Sequence, residues 1–174
     1  VLGSIALHGL RLSETSLGSK VVVVGLGVIG QLVCRLAEAQ GSEVIGIDPD
    51  PERSRYGDNF FTSADDVELK DIDSVIITAA TSSNEPIELA TKIARNKAKI
   101  VVIGDIPLNI SRNDFYYKEL ELVVSKSYGP GRYDKQYEAL GNDYPIEYVR
   151  WTENRNFEAF TKLLSQKQIN LLDL

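Results

Sequence analysis

The stretch VVVVGLGVIG, residues 21–30, places narrow limits on what this chain can fold into. Four consecutive valines are typical of a strand buried on both faces, and glycines follow at Gly25, Gly27 and Gly30. A helical pattern begins at once, because apolar side chains recur at helical spacing after the last glycine. The stretch therefore predicts a buried strand, a tight turn and an amphipathic helix that packs on the sheet.

The rest of the chain alternates between β-branched runs and helical patterns, which is typical of a parallel sheet covered by helices on both faces. Helices are predicted over residues 4–13, 28–40 and 86–96, with a short one before the last strand. We predict an α/β Rossmann fold, a doubly wound six-stranded parallel sheet in the order 3-2-1-4-5-6. The predicted strands are residues 20–25, 43–48, 58–61, 74–78, 99–103 and 120–125.

The 174 residues are enough for one ordinary domain with small additions. We expect a nucleotide-binding domain over residues 1–143 and an extension over residues 144–174. The extension is expected to contain a strand at residues 146–151, a helix around Phe157 and Phe160, and an apolar, strand-like tail. Because the first residue is not methionine and the tail stops abruptly, we expect the chain to be an excerpt of a longer protein.

The net charge of −6 argues against a general binder of nucleic acid or of anionic membranes. No apolar run reaches the ~20 residues that a membrane span needs, and no signal peptide opens the chain. The sequence therefore predicts a cytoplasmic protein whose partners are small molecules or other proteins.

The chain has one cysteine, Cys34, and one histidine, His8. A single cysteine excludes an internal disulfide, and the pair cannot build a zinc site of nitrogen and sulfur ligands. No metal site is predicted within the chain.

The spacing of the three glycines has a steric and an electrostatic reason. The first glycine allows the tight turn, the second admits a pyrophosphate close to the backbone, and the third lets the helix pack on the strand. Amide groups at the start of the helix, together with its dipole, then favour a bound anion. We therefore expect the glycine turn to hold a pyrophosphate.

An acid closes the second predicted strand. Asp48 lies about 20 residues beyond the glycines, where a carboxylate accepts hydrogen bonds from the adenosine ribose and repels a 2′-phosphate. This position predicts NAD as the cofactor, with NADP disfavoured. Pro49 and Arg53 follow Asp48 and are expected beside the ribose, although Arg53 could instead be an ordinary surface charge.

Ligands in such sheets bind at the carboxyl ends of the strands. Small residues end the fourth and fifth predicted strands and leave room for the rest of a dinucleotide. The expected positions are Ala79, Ala80 and Thr81 after the fourth strand, and Ile103, Gly104 and Asp105 after the fifth.

Several residues have reactive side chains without the partners that catalysis requires. His8 has no acid–base partner that the sequence can place beside it, so a structural or cofactor-lining role is favoured. Cys34 lies inside the helix that follows the glycines, where an inert packed thiol is expected. Tyr116, Tyr117 and Tyr133 lack a lysine one helical turn further on. No catalytic residue is predicted in this chain.

The opening segment GSIALHGLRLSETSLGSKVVVVGLGVIGQLVCRLAEAQGSEVIGIDPDPER resembles the cofactor domain of the medium-chain dehydrogenase/reductases, the zinc-type alcohol dehydrogenase group. The later segments SYGPGRYD and YVRWTENRN are similar to a subgroup of two-domain oxidoreductases. The resemblance implies a domain that holds a nicotinamide dinucleotide for hydride transfer at an alcohol, polyol or sugar carbon. By the motif match it implies pyrophosphate contacts from the turn residues Gly25, Leu26, Gly27, Val28, Ile29 and Gly30. It also implies that catalysis, with any zinc, belongs to a separate domain outside this chain, so that this chain alone is inactive.

The same resemblance implies a homodimer in which the sixth strand pairs with its twin. The apolar sequence between Leu120 and Ser125 agrees with this, because an unpaired apolar edge is a liability. Two other readings stay open: a nucleotide-sensing regulatory module, and a methyltransferase in which Asp48 would hold the ribose of S-adenosylmethionine.

Overall fold

The computed structural model describes residues 1–55 and 57–171 of the chain. Six parallel strands form one sheet in the order β3-β2-β1-β4-β5-β6, as the sequence predicts. The strands are β1 (Lys20–Val24), β2 (Glu43–Ile47), β3 (Phe60–Phe61), β4 (Ile72–Ile77), β5 (Ala94–Val102) and β6 (Glu121–Val124).

Seven α-helices are assigned in the described residues: α1 (Leu2–Leu12), α2 (Val28–Ala39), α3 (Pro51–Ser54), α4 (Glu85–Ile93), α5 (Arg112–Lys118), α6 (Lys135–Glu138) and α7 (Glu153–Ser165). A 3-10 turn, Ala64–Asp66, follows β3. Within the described ranges, no helix is long and apolar enough to cross a membrane.

Alternate residues of the central strands point to opposite faces of the sheet, which gives the protein two cores. Val21 and Val23 face a core made with α1 and α2, and α7 packs against its outside. Val22 and Val24 face a second core made with α4, and α5 packs there. Both faces are covered, which explains the unbroken run of valines in β1.

The helix predicted over residues 86–96 is wrong at its end. We expected it to continue to Asn96, whereas α4 ends at Ile93 and β5 begins at Ala94. The ammonium of Lys118 donates to the carbonyl oxygens of Thr91, Lys92 and Ala94, which satisfies the end of the helix at this point.

The strand predicted at residues 146–151 is also wrong, because this segment forms turns. The amides of Tyr148 and Val149 both donate to the carbonyl oxygen of Pro145. The guanidinium of Arg155 binds the carbonyl oxygens of Tyr144 and Val149, so these groups are not available to a sheet. The predicted helix around Phe157 is confirmed as α7. Of the strand-like tail, residues 169–171 form no strand and residues 172–174 lie outside the described part.

Candidate functional site

A cavity of about 780 Å³ opens at the carboxyl ends of the central strands. Its walls come from the glycine turn between β1 and α2, from the segments after β2, β3 and β4, and from the start of α4. This is the position where the strand order of the sheet reverses direction from β1 to β4, and ligands bind there in open α/β sheets.

The three glycines at the cavity differ in whether the fold requires glycine at that position. Gly25 has a φ of +97°, and a Cβ there would lie 2.6 Å from the backbone nitrogen of Ala79. A Cβ on Gly30 would lie 1.9 Å from the carbonyl oxygen of Gly25. A Cβ on Gly27 would meet nothing within 4 Å, so the fold itself does not require glycine there. The space over Gly27 is therefore open.

Asp48 lies at the end of β2 with only 3% of its surface exposed. Its Oδ2 accepts a hydrogen bond from the backbone amide of Leu26 at 2.7 Å, and its Oδ1 accepts one from the amide of Asp50 at 2.9 Å. The guanidinium of Arg53 lies 3.4 Å from Asp48 and 3.3 Å from Asp50. The arginine charge is therefore balanced by two carboxylates at the mouth of the cavity.

Thr78 joins the end of β4 to the glycine turn. Its hydroxyl donates to the carbonyl oxygen of Gly25 at 2.6 Å, and its backbone amide donates to the carbonyl oxygen of Val24 at 2.8 Å. The turn is thus held from β2 by Asp48 and from β4 by Thr78.

Most of the residues proposed from the sequence share this cavity. Eleven of them line it: Gly25, Gly27, Val28, Ile29, Gly30, Asp48, Pro49, Arg53, Ala79, Ala80 and Thr81. The periodic pattern and the ends of the strands were sufficient signals for these positions.

Four proposed residues do not line the cavity. The side chain of Leu26 is fully buried in the core, although its amide faces Asp48. The side chain of Ile103 packs against Gly9. Gly104 lies directly on the carbonyl group of Ala79, and the carbonyl oxygen of Asp105 accepts a hydrogen bond from Thr81 at 3.0 Å. The end of β5 therefore supports the loop after β4 in this structure.

Sequence reasoning missed other parts of the wall. They are Leu2 at the start of α1, Val24 and Ile47 at the ends of β1 and β2, Thr62, Ser63 and Ala64 after β3, Thr78 at the end of β4, and Ser83, Glu85, Pro86 and Leu89 around the start of α4. Of these residues, only those near Pro86 were indicated by a sequence pattern, the predicted start of a helix. The segment after β3 was missed because that strand has only two residues.

The reactive side chains that drew attention in the sequence lie away from the cavity. His8 is 8% exposed and packs against Gly129. Burial, and then the positive charge of Arg11, lower its pKa below 6.5. Cys34 is fully buried, and burial raises the pKa of its thiol. Among residues 1–55 and 57–171, no three acidic, histidine or cysteine side chains are grouped closely enough to hold a metal ion.

The sheet order, the glycine turn and the acid at the end of β2 together define a dinucleotide-binding α/β domain. A family model, the NAD binding domain of D-isomer specific 2-hydroxyacid dehydrogenases, matches residues 8–114. The chain belongs to this family of NAD-binding domains.

Individual relatives extend the comparison beyond that segment. The 2-dehydro-3-deoxy-L-galactonate 5-dehydrogenase of Pseudoalteromonas atlantica is 27% identical over 161 residues, which cover 84% of this chain and 44% of the relative. The crystal structure of galactitol-1-phosphate dehydrogenase from Escherichia coli superposes with a TM-score of 0.73 and 20% sequence identity. The alignment covers 99% of this chain and 50% of the galactitol-1-phosphate dehydrogenase chain.

A third similar structure, described as a zinc-binding dehydrogenase of Sinorhizobium meliloti bound to NADP, is 21% identical and has a TM-score of 0.69. The alignment covers 98% of this chain and 48% of the Sinorhizobium meliloti chain. At these identities the two solved structures show the fold alone. The chain spans half or less of the length of each of these three proteins.

Proposed function

We propose that this chain is the cofactor-holding part of an NAD-dependent oxidoreductase of the medium-chain, zinc-type alcohol dehydrogenase kind. The observation that carries the proposal is the cavity over the glycine turn, with the open space at Gly27 and the buried carboxylate of Asp48 at its edge. When bound, the nicotinamide ring supplies the acceptor or donor of a hydride.

The residues of the chain divide between the two halves of the dinucleotide. The backbone of Gly25, Leu26, Gly27, Val28, Ile29 and Gly30 would hold the pyrophosphate. Asp48, Pro49 and Arg53 would hold the adenosine ribose. The segment Ala79, Ala80 and Thr81, supported by Ile103, Gly104 and Asp105, would hold the nicotinamide half. The open space at Gly27 fits this assignment, since a side chain there would occupy the place of a phosphate.

NAD is the favoured cofactor because of the charges at the ribose end. Asp48 presents a carboxylate where NADP carries its 2′-phosphate, and like charges repel. Arg53 could attract that phosphate, but its guanidinium already contacts Asp48 and Asp50. We therefore expect tighter binding of NAD than of NADP.

The proposed class of parent enzyme rests on the extent of the similarity. The family model ends at residue 114, whereas the galactonate-derivative dehydrogenase and the galactitol-phosphate dehydrogenase align across most of the chain. Both act on polyhydroxylated compounds according to their names, so we propose an alcohol, polyol or sugar carbon as the site of hydride transfer.

Residues 1–143 would form the binding domain, and residues 144–174 would lead to a catalytic domain elsewhere in a longer, cytoplasmic protein. Any catalytic zinc would belong to that domain.

We further propose a homodimer formed through the edge strand β6. Among the residues that the structure describes, this strand has a neighbour on one side only, and Val124 at its end is 60% exposed. Pairing of Leu120 to Ser125 with the same segment of a second copy would satisfy the free edge.

Calorimetric titration with NAD, NADP and S-adenosylmethionine tests the proposed function. We expect binding of NAD, and weaker binding of NADP. Binding of S-adenosylmethionine alone would favour the methyltransferase and refute the oxidoreductase. Adding the intact longer protein to NAD and a panel of polyols then tests hydride transfer through the absorbance of the reduced nicotinamide.

A further inference from the structure

One peptide unit of the glycine turn is held at both of its edges. The carbonyl oxygen of Gly25 accepts the hydroxyl of Thr78 at 2.6 Å. The amide of Leu26 donates to Oδ2 of Asp48 at 2.7 Å. The carbonyl of Gly25 and the amide of Leu26 belong to the same planar peptide, so the two side chains fix its orientation from both sides.

The surroundings leave this peptide little freedom. A Cβ on Gly30 would lie 1.9 Å from the carbonyl oxygen of Gly25 and 2.7 Å from the hydroxyl oxygen of Thr78. The start of α2, the end of β1 and the Thr78 hydroxyl therefore meet at one point. The next residues, from Gly27 to Gly30, lead into α2 and line the cavity.

We propose that Thr78 is a positioning residue for the dinucleotide, acting through the Gly25 carbonyl group to hold the phosphate-binding turn in its binding conformation. The inference rests on the proposed function in which the cavity holds a nicotinamide dinucleotide. A turn that is held before the ligand arrives loses less conformational freedom on binding, and affinity is higher for that reason.

The size of the effect follows from the bond involved. Loss of one partly buried hydrogen bond of this kind corresponds to about a fivefold to tenfold change in an equilibrium constant. The orientation of the turn matters to the pyrophosphate and not to the adenine ring. The effect should therefore appear with NAD and ADP-ribose, and be absent with adenosine.

The first experiment needs no ligand. Amide hydrogen exchange is measured by mass spectrometry on peptides covering residues 25–30 in the wild type, Thr78→Val, Thr78→Ser and Thr91→Val. Thr91 provides a matched control, because its hydroxyl also bonds a carbonyl oxygen, that of Glu88, on the exposed side of α4. We expect exchange in the turn to be about fivefold faster in T78V only, with T78S restoring the wild-type rate. Unchanged exchange in T78V overturns the inference.

The second experiment measures dissociation constants for NAD, ADP-ribose and adenosine by calorimetry on the same four proteins. T78V should weaken NAD and ADP-ribose by about fivefold to tenfold and leave adenosine unchanged, and T78S should rescue both. Equal weakening of all three ligands, or a lower melting temperature without a change in affinity, would show a merely structural role.

If T78V does not fold, Thr78→Ala removes the hydroxyl without a new methyl group. If the wild type binds no dinucleotide, the proposed function fails and so does the role of Thr78 in binding, whereas hydrogen exchange still reports whether Thr78 holds the turn.

Discussion

The carboxylate of Asp48 binds the backbone amide of Leu26 at 2.7 Å, across the gap between β2 and the glycine turn. The acid that sequence reasoning assigns to the ribose therefore also holds the segment assigned to the pyrophosphate. In the proposed binding mode, both ends of the adenosine diphosphate moiety would depend on this one side chain. A substitution of Asp48 should consequently affect more than the choice between NAD and NADP.

Asp48→Asn is expected to weaken NAD binding by about tenfold to hundredfold, because a hydrogen bond to a charged acceptor contributes about 1.5–3 kcal/mol. NADP should lose less affinity, since the repulsion of its 2′-phosphate is also removed. Calorimetric titration with both cofactors gives the ratio of their dissociation constants. Asp114→Asn, on exposed α5, is the matched control and should leave both constants unchanged. A variant with unchanged NAD affinity would contradict the assignment of Asp48.

Gly27→Ala and Gly30→Ala should separate ligand binding from folding. A Cβ at position 27 meets nothing within 4 Å, so this variant should keep its free energy of unfolding within about 1 kcal/mol. It should nevertheless lose NAD binding, because the methyl group enters the space of the pyrophosphate. Calorimetry and urea unfolding measure the two properties. Normal NAD affinity in G27A would place the pyrophosphate elsewhere.

Gly30→Ala is the counterpart, in which the fold itself is damaged. Its Cβ would lie 1.9 Å from the Gly25 carbonyl oxygen, and a backbone atom must move. We expect a loss of about 3 kcal/mol in the free energy of unfolding. Urea unfolding with circular dichroism measures it, and a loss below that of G27A would contradict the close packing.

His8 should make the stability of the protein depend on pH. Burial and the charge of Arg11 lower the pKa of His8 in the folded state below 6.5, so the unfolded chain takes up a proton first as the pH falls. The contribution of His8 is therefore complete above pH 6.5 and decreases as the pH falls toward its folded-state pKa. The free-energy difference between the wild type and His8→Gln should be flat above neutrality and shift against the wild type below it. If the free energies of unfolding of the two proteins run parallel at every pH, the pKa of His8 is not lowered by folding.

Val124→Lys should convert the expected dimer into a monomer. A charged side chain at the end of β6 opposes the approach of a second strand. Analytical ultracentrifugation provides the measurement, and Leu140→Lys is the control because Leu140 is similarly exposed (66%) but lies outside the sheet. A wild type that is monomeric at all concentrations would refute the proposed dimer.

Cys34 should not react with a thiol reagent while the protein is folded. Its side chain is fully buried and burial raises the pKa of the thiol, whereas the thiolate is the reactive form. One thiol per chain should become reactive in urea, with the same midpoint as the loss of helical signal. Rapid labelling without urea would show that α2 opens readily.

The sequence by itself determined the features that depend on neighbouring residues. The valines of β1 predicted the buried strand, and the glycine spacing with Asp48 predicted the turn and the class of site. These features are local because strand burial, backbone sterics and the charge at a strand end are decided within a few residues. The match of an NAD-binding family to residues 8–114 agrees with that prediction.

Only the tertiary structure decided which distant residues meet. Thr78 bonds Gly25 from the end of the neighbouring strand β4, Ser63 lines the cavity after a strand of two residues, and Lys118 binds carbonyl oxygens at the end of α4 from another helix. Arg155 binds the carbonyl oxygens of Val149 and Tyr144, so these groups are not available to a sheet. Such contacts join groups far apart in the sequence, and no local pattern records them, because their geometry exists only after the sheet and helices have packed.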